Sequence, residues 1–400
     1  MPNLKELTTK IGSGSTPRGG KSAYIDSGIP IIRSQNIIDL SFHESGLAFI
    51  SEEQAQAMEG VSVHLNDVLL NITGDSTARV AIWNRRQQAR VNQHVAIIRA
   101  NPDQLDPYWL MYWLYSPEVK QHLLMLASSG ASRAALTKGM LEQLELPDFS
   151  VRQQQSISAP LRALDDKIAA NDRLTVIALM LQRSYWTKTV GELTKVTLSK
   201  VSNPILGGTP KRSDEALWEG NNLWASVADM TKAPHSHLVD TAEKISDEAI
   251  QTRRFSPLPA GSVLMSARGT VGRIVSTTKP TSFNQSAYGF VPPEGCGPAL
   301  RLALLDVVAE LESKSYGSVF STITKQQINE CTVPDVFNPQ FDELHTLLNT
   351  LESRIIAAEL ENQALARTRD ELLPLLMSGR ITVGEAEEAA DVAGTAASES

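Results

Sequence analysis

The sequence predicts a mixed α/β fold built twice. Two similar globular units are separated by two long helices that pair antiparallel as a coiled coil, with an approximate two-fold axis relating the halves. Three observations predict it. Blocks of sequence recur in one order in the two halves of the chain. Each copy ends in a long segment with apolar residues three and four apart. Between these lie short apolar runs punctuated by Gly, Pro and Ser.

The recurrence comes first. Gly14–Arg18 (GSTPR) returns as Gly207–Lys211 (GGTPK) at an offset of 193. Asp67–Asp75 (DVLLNITGD) resembles Ser262–Thr270 (SVLMSARGT) at 195. Asn92-Gln93 matches Asn284-Gln285 at 192, and Ser128–Asp148 matches Ser315–Asp335 at 187. Small drifts within one block order are what loop insertions produce. The unit is too long for a solenoid repeat, so the chain reads as a tandem duplication.

Each copy closes on Pro-Asp and then a helix. In the first, Ser150 and Gln153 have capping-box spacing. Ile157, Leu161, Leu164 and Ile168 follow at spacings of four, three and four. Asn171 takes the next seam position, and the stripe is expected to resume through Leu174, Ala178, Leu181 and Tyr185. In the second, Asn338-Pro339 supplies a cap and a first-turn proline. Phe341, Leu344, Leu348, Leu351 and Ile355 carry the stripe, Asn362 interrupts it, and Leu365, Leu372 and Leu376 extend it.

So narrow a stripe is a coiled-coil seam, which a lone helix would leave in water. The two helices are therefore expected to cover each other, antiparallel because a whole globular unit separates them in sequence. Each would be about 55 Å long at 1.5 Å per residue. A seam asparagine fixes register at a cost in stability; a solvent-facing asparagine is the other reading of Asn171 and Asn362. Pro160 and Pro374 are expected to kink their helices or mark irregular turns.

The boundaries that follow are 1–149 for the first globe, 150–188 for its helix, 189–337 for the second globe and 338–380 for the second helix. Residues 381–400 form an acidic tail expected to be disordered. In the globes, strands are expected at IPIIRSQ, DVLLNIT and QHVAIIRA, then at NLWASVA, SVLMSAR and AYGFVPP, with a helix after each set.

Composition narrows the function. The two cysteines, Cys296 and Cys331, are too few for a disulfide framework, which points to a reducing cytoplasm. The N-terminus lacks an apolar signal core, and no apolar run approaches the ~20 residues of a membrane span. The net charge of −8 argues against nucleic acid until its distribution is seen. Glu385, Glu387, Glu388, Asp391 and Glu399 all follow the last basic residue, Arg380, and the rest of the chain carries only −3. Basic residues cluster at Arg79, Arg85, Arg86 and Arg90, at Lys211 and Arg212, at Arg253 and Arg254, and at Arg268 and Arg273. Each cluster alone reads as solvated surface, so charge permits DNA binding without arguing for it.

Signals for chemistry fade. GSGSTPRGGKS, Gly12–Ser22, ends like a phosphate loop, but Ser15 stands where its first glycine must be and a strand follows in place of a helix. His235-Ser236-His237 lacks companion ligands at zinc spacing. Asp165 and Asp166 are adjacent, so they do not share a helix face. There is no Gly-x-Ser-x-Gly elbow and no Asp/Asn-Pro-Pro-Tyr methyltransferase motif.

Taken together, the paired Gly-Ser/Gly-Thr-Pro openings, the Arg268-Gly269-Thr270-Val271-Gly272 element, the Asn-Gln pairs, the paired Ser/Tyr-Gly…Thr-Lys…Pro segments, LRALDDKIAANDRL and LLPLLMSGRI resemble the specificity subunit of type I restriction-modification systems. The resemblance covers about residues 3–382. It implies a non-catalytic subunit with two target-recognition domains, each reading half of a split double-stranded DNA target. The helices would space the domains and dock two modification subunits, which carry S-adenosylmethionine and methylate adenine. The resemblance also allows an ATP- and magnesium-dependent restriction subunit as a further partner, and implies no cofactor in this chain itself. Thr73-Gly74 stands where the second copy has Arg268-Gly269, so an arginine role does not carry to the first globe. Globes about 55 Å apart, less their overhang, would reach sites one DNA turn, ~34 Å, apart.

The residues able to read DNA follow from donor and acceptor chemistry. Thr16, Arg18 and Lys21, with Thr209, Lys211 and Arg212, lie in the Thr-Pro turns and suit phosphates or groove edges. Arg33, Ser34, Gln35 and Asn36 leave a strand end, matched by Ser226 and Asp229. Arg79, Arg268 and Arg273 add charge. Asn92, Gln93 and His94, with Asn284, Gln285 and Ser286, are either base readers or amides that hold backbone turns. Ser129, Arg133, Thr137 and Lys138, and Tyr316, Ser318 and Lys325, are further loop candidates. Two other classes fit the same layout: a scaffold whose globes bind proteins, and the recognition module of a methyltransferase system lacking a nuclease.

Overall fold

The computed structural model describes residues 1–129, 135–191, 193–251, 255–314, 322–381 and 384. Most of the acidic tail, with Arg133, Arg253, Arg254, Tyr316 and Ser318, lies outside the described residues. Four helices carry the argument: α1 (Pro107–Tyr115), α2 (Val151–Val190), α3 (Gly297–Lys314) and α4 (Asp342–Met377). The chain divides into two units, residues 1–167 with 364–400 and residues 168–363, so α2 and α4 each contribute a part to both.

In the first unit, Thr8–Ser13, Val95–Ala100, Val68–Asn71 and Val80–Ile82 form an antiparallel sheet in that order. In a second sheet, Ile29–Ile32 lies antiparallel to Ala48–Ile50 and parallel to Ala89–Val91. The second unit repeats this plan. Ile205–Leu206, Ala287–Phe290, Val263–Ser266 and Ile274–Thr277 take the four places of the first sheet. Asn222–Ala225 lies antiparallel to Glu243–Ile245 and parallel to Thr281–Phe283. The duplication read from sequence is therefore a duplication of strand order and strand direction. The central strands are buried on both faces (VLLN in one copy, VLMS in the other), which explains runs without alternation.

The long helices begin as their caps dictate. The Ser150 hydroxyl and backbone N–H both donate to Gln153 Oε1, while Ser150 Oγ accepts from Gln153 N. Asn338 Oδ1 accepts from Gln340 N, but a single 3-10 turn, Pro339–Phe341, precedes α4. Pro160 and Pro374 lie inside continuous helices, so neither marks an irregular turn.

The seam differs from its apolar reading. Within the first unit, Ile157, Leu161 and Leu164 are buried and Arg369 of α4 pairs with Asp165 of α2. Within the second unit, Asn171 faces Asn362 and Gln182 faces Leu348 and Glu352, which makes the segments antiparallel. Leu348 and Ile355 are fully buried, whereas Ile168 and Leu351 are only half-buried. Leu174, Leu181 and Tyr185 do not join the seam: they are 46%, 42% and 43% exposed. Ala178 is buried as expected, and Thr175, Gln182 and Trp186 are buried in place of the other three, at spacings of four, three, four and four from Asn171. The polar seam positions find partners in the neighbouring helix and globe, which is why apolar character pointed to the wrong face.

Candidate nucleic-acid interface

Four loops meet at one edge of each unit, and glycine starts the construction. A Cβ on Gly207 would lie 2.3 Å from Asn284 O, and one on Gly14 would lie 2.0 Å from Val91 O. Only glycine lets the Thr-Pro loop press its backbone against the Asn-Gln turn. Thr209 Oγ1 then donates to Gln285 Oε1, and Thr16 Oγ1 donates to Gln93 Oε1 across 2.6 Å. The third loop joins through Ala267 N and Arg268 N, which donate to Ser286 O; in the first unit Ile72 N donates to His94 O. The fourth joins through Ile323 N to Ala267 O, and through Leu136 N to Ile72 O.

The Asn-Gln pairs divide their labour. Asn92 Oδ1 accepts from His94 N and Asn284 Oδ1 from Ser286 N, so these amides hold backbone turns. Their own N–H groups donate to Ile32 O and Ala225 O, the ends of matching strands. Gln93 and Gln285 remain exposed at the edge. His94 Nδ1 lies 2.6 Å from Thr73 Oγ1, in the place where the second unit carries the exposed Arg268.

The strand-end residues are also tied down. Arg33 N donates to Asn36 Oδ1 just as Ser226 N donates to Asp229 Oδ2. Buried Asn36 donates to His43 O and Ser45 O, Arg33 Nη2 and Gln35 Nε2 both reach Gly46 O, and Ser34 O accepts from Asn71. These side chains shape the 43–46 loop. Arg273 caps the helix Val227–Lys232 by donating to Met230 O and Ala233 O. Ser129 Oγ donates to Leu126 O, and Lys138 pairs with Glu142 at 3.6 Å. Thr137 and Thr324 cap the short helices that begin at Lys138 and Lys325. Arg18, Lys21, Arg79, Lys211, Arg268 and Lys325 are exposed. Arg212 is exposed but held, its guanidinium 3.8 Å from the Trp218 ring and paired through both Nη atoms with Glu243.

Residues 191–339 match the family model described as the type I restriction modification DNA specificity domain. Over 425 aligned residues the chain is 19% identical to the putative type I restriction enzyme MjaX specificity subunit of Methanocaldococcus jannaschii, covering 95% of this chain and 93% of that one. It is 23% identical over 188 residues to the type I restriction enzyme HindI specificity subunit of Haemophilus influenzae, 46% of this chain and 40% of that one. The crystal structure of a type I restriction-modification S subunit from M. genitalium superposes with a TM-score of 0.59 at 16% identity, covering 94% of both chains. The second half of the chain thus carries a type I DNA specificity domain, and nearly the whole chain is similar to type I specificity subunits.

Sequence reasoning missed two polar clusters where the globes meet the long helices. In the first unit, Asp165 on α2 accepts from Tyr112 of α1 and from Arg369 of α4, each at 2.6 Å. In the second, Glu352 on α4 accepts from Arg301 of α3 at 2.9 Å, from Gln182 of α2 at 3.0 Å and faces His237 Nε2 at 2.8 Å. Burial pushes Asp165 above the usual carboxylate range despite Arg369. Burial also opposes ionisation of Glu352, but Arg301 and His237 outweigh it and hold Glu352 at about 2. Glu359 is buried with neither oxygen hydrogen-bonded, Oε1 lying 3.7 Å from His237 Nδ1; burial and the charge of Glu352 push it up to about 8. The local signal for these residues is faint, because every partner is distant in sequence. Among the described residues no three His, Cys, Asp or Glu side chains are grouped to hold a metal, and no helix is long and apolar enough to cross a membrane.

Proposed function

We propose that this chain is the non-catalytic reader of a type I restriction-modification complex, each unit recognising one half of a split duplex target. The observation that carries the proposal is that both units build the same four-loop edge and then furnish it differently. His94, held by Thr73, occupies one edge where Ser286 occupies the other, which suits two half-sites of different sequence. Arg18, Lys21, Lys211, Arg268 and Lys325 supply the backbone contacts, and the glutamines and loop side chains supply base contacts. The exposed row Leu174, Ile177, Leu181 and Tyr185 on α2 supports docking of a modification subunit. Two such subunits would bring S-adenosylmethionine and methylate adenine, extruding the base from the stack. ATP and magnesium would act on a restriction subunit where one is present. The working place of such a complex is the cytoplasm.

Mapping methylated adenines in cells expressing the chain with its modification subunits tests this. The expected result is methylation in one split motif, with a fixed gap. Exchanging residues 190–335 for another such globe should change one half of the motif only. Methylation without a motif, or a motif unaffected by the exchange, overturns the reading in favour of a protein scaffold.

A further inference from the structure

We propose that Arg212 and Glu243 act together as the reader of one G·C base pair in the half-site recognised by the second unit, a role that rests on the DNA-reading function above. Arg212 leaves the Thr209-Pro210 loop, which Gln285 ties to the four-loop edge. An arginine serving as a phosphate anchor is best left free and uncompensated. Arg212 is neither. Its guanidinium lies over Trp218, which meets Trp224 edge-on with centroids 4.9 Å apart. Trp224 is buried and its indole N–H donates to Gly208 O at 2.9 Å, so the stack is anchored to the glycine loop itself. Glu243 neutralises the charge, accepting from Nη1 and, at 2.9 Å, from Nη2.

What remains is a rigid plane with mixed polarity. The Nε–H and one N–H on each Nη atom are unspent by the Glu243 pairing, and arginine donors in that fork match guanine O6 and N7. Each Glu243 oxygen keeps a free lone pair, and a carboxylate accepts from cytosine N4. The Arg212 and Glu243 side chains are 54% and 42% exposed, so both edges are open to a groove. A donor fork beside an acceptor is the complement of a G·C pair seen from the major groove. An A·T pair offers one donor and one acceptor on adenine, which such a fork meets with only one bond.

The test uses the full-length chain, assembled with its modification subunits, on a library of duplexes randomised through the target. Wild type should select G·C at one position of the second unit's half-site. Arg212→Lys, which keeps the charge, and Glu243→Gln, which keeps the size, should each lower that selectivity about tenfold or more while the other half-site and the salt dependence of binding stay unchanged. Melting curves within a degree or two of wild type establish that both variants are folded. Selectivity unchanged in both variants overturns the proposal. So does a uniform loss of affinity with a shallower salt slope, which marks a phosphate contact. A wild-type complex without any sequence preference overturns it too, and in that case the DNA-reading function falls with it.

Discussion

Asp165 and Glu352 stand 187 residues apart at the same position of the duplicated sequence, and each is the carboxylate on which a long helix meets its neighbours. Asp165 accepts from Arg369 and Glu352 accepts from Gln182, and those two donors are again 187 residues apart. The charge, however, has changed elements. It comes from the opposing long helix in the first unit and from the globe's own helix, through Arg301, in the second. One ancestral contact has thus diverged into two chemically distinct ones.

Glu352→Ala should be the more damaging substitution within the second unit, costing about 3–5 kcal/mol because Arg301 is left buried without its counter-charge. Glu352→Gln should cost less. Hydrogen exchange at residues 168–363 of the full-length chain measures both. The folded value of Glu352, about 2, lies below the ordinary 4.5, so its contribution is present above pH 4.5 and is lost as pH falls towards 2.

Glu359 has the opposite sign. Its value of about 8 lies above 4.5, so the folded chain binds the proton more tightly and stability declines as pH rises between those values. The charged groups in play are Glu352, Arg301 and Asp172, with His237 Nδ1 at 3.7 Å. Glu359→Gln should remove this decline and melt above wild type at pH 8–9. Parallel melting curves for the two proteins from pH 5 to 9 would contradict it.

Asn171 and Asn362 should behave as a coupled pair. Asn171 Nδ2 donates to Asn362 Oδ1 and to Glu361 Oε2, and Asn362 Nδ2 donates to Asp172 Oδ1, so each single change to leucine removes the one bond the two amides share and sets an apolar side chain against the remaining amide. The double change restores an apolar seam. A double-mutant cycle in denaturant should give a coupling of about 0.5–3 kcal/mol, with the double variant more stable than either single one. Additive effects would mean the amides act independently.

Arg268→Ala and Lys325→Ala should weaken DNA binding uniformly across target sequences and each lower the salt slope by about 1, as loss of a phosphate contact does. Both side chains are exposed, so melting temperatures should not move. Binding isotherms at three salt concentrations decide the matter.

The repeated plan was legible because its strands and turns follow local signals: glycine and proline turns, buried apolar runs and the Asn-Gln turns fall within short windows. The seam beyond Asn171 was not legible. Gln182 is buried because Arg301 and Glu352, 119 and 170 residues away, satisfy its amide. Leu174 and Leu181 are exposed because that seam is already filled. Arg33, Gln35 and Asn36 have donors and acceptors that suit bases, and the carbonyls of residues 43–46 that they also bond give no side-chain signal in the sequence.

The outward row Leu174, Ile177, Leu181 and Tyr185 has a consequence for supply. With a modification subunit covering it as proposed, chains synthesised faster than that subunit would stick to one another and be degraded. The cellular dose of reader would then be capped by the output of its covering subunit, and a balanced ratio would need no dedicated control.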